Sequence, residues 1–162
     1  MPMELRKYQS EDSSIICSWI KDEKSLYQWS ANCIGKFPLT GNEMNDLYAS
    51  EMKCNKFIPL SAFDEEGNLV GHLRIRYPDE ANSYVVRIGF VIIDPILRGN
   101  GNGKKMMQLA IDYAKNILNA SKITLGVFSN NDCARHCYES VGFRSTGETE
   151  IYKMPIGEWE CI

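Results

Sequence analysis

The chain has 162 residues, 44% of them hydrophobic and 24% charged, with a formal net charge of −3. That length supplies the core of one ordinary domain and the composition is that of a globular protein. No basic stripe follows the pattern of nucleic-acid phosphates, and no apolar run reaches the ~18 residues that span a bilayer.

The start, MPMELRKYQSEDSS, carries no apolar signal region, so a cytoplasmic setting is expected rather than export. Residues 11–21 place Ile15, Ile16 and Trp19 on one helical face, with Ser10 or Asp12 as the cap. Residues 25–40 mix aromatic and polar side chains without a clear period and read as a loop with a short helix. Thr40-Gly41-Asn42-Glu43 opens a second helix through residue 53, with Met44, Leu47 and Met52 inward.

The period then changes. Residues 57–63 and 68–77 read as strands joined by the turn Asp64-Glu65-Glu66-Gly67. After a turn at 78–82, YVVRIGFVIID (84–94) is β-branched and nearly continuous, as in a strand buried on both faces. Residues 104–118 are amphipathic, with Met106, Leu109, Ala110, Tyr113 and Ile117 on one side. A strand at 122–129, a short helix at 131–141 stopped by Gly142, and a strand at 143–154 follow. No repeat or linker divides the chain, so residues 1–162 form one α+β domain around a mostly antiparallel sheet.

Six cysteines (Cys17, Cys33, Cys54, Cys133, Cys137, Cys161) are scattered without a C-x-x-C pair. They read as reduced thiols packed as small hydrophobes. Cys133 and Cys137 flank His136 at a spacing that faintly resembles a metal cluster, and no metal is expected.

Residues 98–104, RGNGNGK, interrupt the pattern between a buried strand and a helix. Glycines let backbone N–H groups converge on an anion, and a helix N-terminus adds partial positive charge. Lys104 and Lys105 add formal charge, which makes phosphate the natural guest. The ATP-binding pattern fails: Lys105 follows Gly103-Lys104, and no glycine stands five positions before Gly103. The dinucleotide pattern fails too, because Gly99, Gly101 and Gly103 are spaced two and two.

Arg98-x-x-Gly101-x-Gly103 after a strand ending Ile93-Asp94-Pro95 resembles the pyrophosphate loop of the GNAT-type acyl-CoA N-acyltransferases. The second half of that pattern follows in register as Asn131-x-x-Ala134-x-x-x-Tyr138-x-x-x-Gly142-Phe143. The resemblance implies two parallel strands that splay apart to admit the acyl-pantetheine arm of acetyl-CoA. The arm would pair with the backbone of Val91, Ile92 and Ile93, a form of strand addition. Arg98, Gly99, Asn100, Gly101, Asn102 and Gly103 match the diphosphate loop, and Lys104 extends it. Arg98 has a surface charge as its alternative role, and Asn131 matches a cofactor contact or an ordinary helix cap.

Tyr138 matches the proton donor to the departing thiolate, with helix packing as the alternative. Several members place a Glu where this chain has Gly126, and the strand 84–93 carries Arg87 and no carboxylate. His72, Glu80 and water therefore stand as alternative bases, and His136 reads as helix surface. In the segment over the acyl end, Trp19 turns inward. Tyr27 and Trp29, near Asp22 and Glu23, either hold the ammonium of an acceptor or fold down as a lid. The function implied is transfer of an acetyl group to a primary amine (a small molecule or a peptide N-terminus) in a ternary complex. The alternative is a coenzyme-A-binding module without turnover. A homodimer is one assembly open to it, and neither nucleic acid nor membrane is an expected partner.

Overall fold

The computed structural model describes residues 2–31, 33–53 and 57–162. Cys54 lies outside them, as does Asn32 of the expected loop. The elements in chain order are β1 (Met3–Lys7), α1 (Ser13–Ser18), α2 (Glu23–Ser30), α3 (Gly41–Met52), β2 (Phe57–Asp64), β3 (Leu69–Arg76) and β4 (Val85–Ile93). Then come α4 (Asn102–Asn116), β5 (Lys122–Thr124), α5 (Asp132–Ser140), β6 (Glu150–Met154) and β7 (Gly157–Cys161). Five strands form one sheet in the order β1-β2-β3-β4-β5, antiparallel throughout except for the parallel pair β4–β5.

Two strands are additions to the sequence reading. In β1, Met3 and Leu5 turn toward the core while Glu4 and Arg6 face solvent, so the strand's signal is two alternations among charges. It lies along β2 with Leu5 opposite Ala62. The expected strand at 143–154 begins only at Glu150, and it folds back on β7 as a hairpin. The expected strand at 122–129 is also shorter, and the cause is tertiary. After Thr124 the chain leaves β4 and exchanges two backbone hydrogen bonds with the C-terminus, Val127 N–H to Ile162 O at 3.0 Å and the reverse at 2.8 Å.

The core divides between the two faces of the sheet. On one face Leu73, Ile75, Val86 and Ile88 pack against Met106, Met107, Ala110 and Ala114 of α4. The expected helical face is thus rotated, and Ile117 is 63% exposed. α4 lies close to β3, where a Cβ at Gly71 would come within 2.6 Å of Met106 Sδ, so Gly71 makes room for the methionine. On the other face, Ile16, Trp19, Leu26 and Met44 from α1–α3 enclose Tyr48, Phe57 and Phe90. Ile15 and Met52 point outward, and Tyr48 takes the inward place expected of Met52. The Thr40–Glu43 pair forms the capping box that starts α3, each side chain accepting the other's backbone N–H at 3.2 Å.

Candidate active site

β4 and β5 pair only from Val85 to Arg87 against Lys122 to Thr124. Beyond that point β5 diverges, and among the described residues the β4 backbone from Ile88 to Ile93 has no neighbouring strand on that side. A strand edge exposed inside a sheet can take an extended ligand as an added strand. A groove of about 790 Å³ follows this split. Val91, Ile92 and Ile93 line one wall, and Val127, Phe128 and Tyr138 line the other.

Within β4 the register slips: Arg74 pairs with Gly89, but His72 pairs with Ile92. The slip is a bulge centred on Phe90, which sits at φ +52°. For a bulky L-residue that conformation costs about 1–3 kcal/mol, so the surroundings must enforce it. Trp29 Nε1–H donates to the Phe90 carbonyl at 2.8 Å, and the Arg74 guanidinium stacks 3.6 Å above its ring. The bulge also switches the strand's faces. Val86 and Ile88 pack toward α4, whereas Phe90 and Ile92 pack toward α1–α3. Gly89 inside an otherwise β-branched run was the signal for this irregularity in the sequence.

At the far end of β4 the chain makes a short 3-10 turn at Pro95–Leu97 and then the glycine cradle. Gly99 and Gly101 adopt left-handed backbones, at φ +82° and +77°. Arg98 Nε donates back to the Ile93 carbonyl at 3.2 Å, which ties the loop to the strand end. Gly101 is the N-cap of α4 and supplies no side-chain cap, so the first N–H groups of that helix remain available to an anion. Arg98, Gly99, Gly101, Gly103 and Lys104 all line the groove. Asn100 is exposed and does not line it. The Asn102 side chain is buried and donates to the Leu97 carbonyl at 2.9 Å, so it braces the loop from behind.

α5 brings the second motif to the opposite wall. Asn131 lines the groove and also caps the helix by accepting from Ala134 N–H, at a long 3.4 Å. Tyr138 is buried, lines the groove, and packs edge-on against Phe143. Its hydroxyl makes no hydrogen bond to protein among the described residues. Burial, with a smaller contribution from Cys137, raises its pKa well above that of an ordinary phenol, so it stays protonated and able to donate.

The expected acceptor residues are placed differently from one another. Tyr27 and Trp29 lie on α2 rather than on a loop, and both are buried. Trp29 reaches the groove wall, but Tyr27 belongs to the core behind it. Asp22 and Glu23 are exposed at the start of α2, where Asp22 caps the helix. Trp19 is buried as expected, though its edge reaches the groove wall.

Neither candidate base on a side chain reaches the groove. His72 is sealed beneath the aromatics, with Nε2 2.8 Å from the Tyr48 hydroxyl. Burial first, and then Arg74, lower its pKa to about 3, so it is neutral. Glu80 is exposed in the turn before β4. Among the described residues no Asp or Glu lines the groove at all. Cys133, His136 and Cys137 line its α5 side, and Cys17, Cys33 and Cys161 are also free thiols.

A family model described as the acetyltransferase (GNAT) family matches residues 16–143. The chain belongs to that family. The GNAT match contains every groove feature described above and ends before the C-terminal residue that pairs with Val127. A UPF0039 protein of Schizosaccharomyces pombe is 34% identical over 101 residues, 62% of each chain. The N-acetylaspartate synthetase of Danio rerio is 32% identical over 90 residues, 56% of this chain and 31% of that protein. The chain therefore spans less than two thirds of these relatives. A spermidine N-acetyltransferase of Vibrio cholerae, solved in complex with CoA and spermine, shares the GNAT fold over 98% of this chain and 92% of its own. Its TM-score is 0.79 at 24% identity.

Proposed function

We propose that the protein is an acetyl-CoA-dependent N-acetyltransferase acting on a primary amine by direct attack in a ternary complex. One observation carries this reading. A single groove joins the glycine cradle, the open edge of β4 and the unpartnered Tyr138 hydroxyl. Acetyl-CoA supplies the activated acetyl group. The first-turn N–H groups of α4, with Lys104, hold the diphosphate. The backbone of Val91–Ile93 receives the pantetheine amides, and Tyr138 gives its proton to the departing thiolate. No carboxylate takes the proton from the acceptor. Arg74, Arg76 and Arg87 line the groove and their guanidiniums disfavour an ammonium, so the proton passes to water in the open groove.

Among the described residues no helix is long and apolar enough to cross a membrane. The free thiols suit the reducing cytoplasm, where we place the protein. The absence of a carboxylate from the described lining gives the second reading, a coenzyme-A-binding module without turnover, its own support. The test is incubation with acetyl-CoA and a panel of amines, scored for free thiol. Amine-dependent thiol release supports the transferase; coenzyme A binding with no release from any amine supports the module.

A further inference from the structure

The groove wall near the vertex of the split is cationic. Arg74 and Arg76 from β3 and Arg87 from β4 all line it. Arg76 stands directly opposite Arg87 in the antiparallel pair, a placement that destabilises a sheet when nothing neutralises it. Arg74 is the partnered member: its Nη1 is 2.8 Å from Glu51 Oε2, and its plane stacks on Phe90. Even so, Arg74 is only 8% exposed and its Nε is buried without a hydrogen-bond partner. Neither Arg76 nor Arg87 has an ion-pair partner among the described residues. Glu150, on β6 beside Tyr152 and Cys161, is exposed and does not line the groove.

Gly126 belongs to the same feature. A Cβ at that position would lie 2.6 Å from Arg87 Nη2 and 2.8 Å from Cys161 Sγ. The Arg87 guanidinium thus occupies space beside the diverging strand that a side chain at Gly126 would share. At Gly89, which lines the groove opposite Arg74, an added Cβ would meet nothing within 4 Å, so the groove is open over the strand between Arg87 and Phe90. A guanidinium presents a planar fork that matches one carboxylate, and its charge does not titrate away. Two unpaired forks and no lining acid make a site for two carboxylates and a poor one for a polycation.

We propose that the acetyl acceptor is a small α-amino dicarboxylate, its carboxylates seated on Arg76 and Arg87 and its amine turned toward the bulge. This rests on the acetyl-transfer reading, and the test separates the two. Thiol release is measured with acetyl-CoA and L-aspartate, L-glutamate or spermidine. In parallel, L-glutamate is titrated calorimetrically into protein saturated with coenzyme A. Expected is a kcat/KM for an acidic amino acid at least about tenfold above that for spermidine. Arg76→Gln should raise the amino-acid KM by about tenfold to a hundredfold, the range for losing hydrogen bonds to a charged group. It should leave coenzyme A affinity unchanged, and the melting temperature should hold or rise because a like-charge pair is removed. Arg87→Lys, which keeps the charge and loses the fork, should raise KM less. Acetylation of spermidine with no glutamate binding would overturn the proposal and leave acetyl transfer standing. Glutamate binding that Arg76→Gln weakens, with no amine acetylated, would retain the carboxylate site and remove the transferase.

Discussion

Replacing Gly101 by Ala separates backbone strain from ligand contact. Gly101 sits at φ +77°, and a Cβ there meets no protein atom within 4 Å. The folded protein should therefore lose only the left-handed penalty of an L-residue, about 1–2 kcal/mol. In a chain of this size that corresponds to a drop of roughly 2–8 °C in melting temperature. On the proposed reading coenzyme A should suffer further, because the added methyl would stand where the diphosphate is to approach the first N–H groups of α4. Loss of one such charge-assisted contact predicts binding weaker by about tenfold to a hundredfold. Gly67, in the β2–β3 turn, provides the control: its φ is +84°, a Cβ there also meets nothing within 4 Å, and it does not line the groove. Gly67→Ala should match the melting shift and leave coenzyme A affinity as in the unmodified protein. Calorimetry at a temperature where all three proteins are folded makes the comparison. Equal coenzyme A affinity in the two variants would show that the cradle does not hold the diphosphate.

Tyr138→Phe should keep the fold, because the hydroxyl has no partner to lose among the described residues, and lower kcat by about ten- to a thousandfold at unchanged coenzyme A affinity. Unchanged single-turnover rates would assign Tyr138 to packing. Trp29→Phe deletes the donor to the Phe90 carbonyl and should cost about 1–3 kcal/mol in urea unfolding; no loss would mean the bulge holds itself. His72 predicts a pH dependence. Its folded pKa, about 3, lies below the ordinary value of 6.5, so the unfolded chain binds the extra proton between those limits. Its contribution is complete above about pH 6.5 and falls as pH drops toward 3, by up to about 1.4 kcal/mol per pH unit. His72→Gln should flatten that slope, and an unchanged slope would place the responsible group elsewhere.

Features written in contiguous residues were legible in advance. The helix start at Thr40–Glu43, the glycine loop before α4 and the Asn131 cap of α5 depend on local backbone chemistry, which four to six residues specify. The relation between the glycine loop and the Asn131–Phe143 motif was legible through the family resemblance that both carry. Strand β1 was hidden because its two inward residues stand among charges, and β7 because its pairing partner is made by the chain's own return. Periodicity placed Met106 and Ala110 of α4 inward correctly, but it missed Met107 and Ala114 and turned Ile117 inward where it is exposed.

The sequence by itself determined most of the elements between α1 and β6 and pointed to the glycine loop as the place for an anion. Only the tertiary structure decided what lies at the other end of the groove. Gly126 and Arg87 read separately as two departures, a missing acid and an unexpected base. They prove to be one arrangement, because packing leaves Arg87 the space that a side chain at Gly126 would fill. The unpaired guanidiniums, the bulge that Trp29 holds and the sealing of His72 all arise where distant segments meet. Interactions of that kind depend on distance through space, which spacing along the chain does not encode.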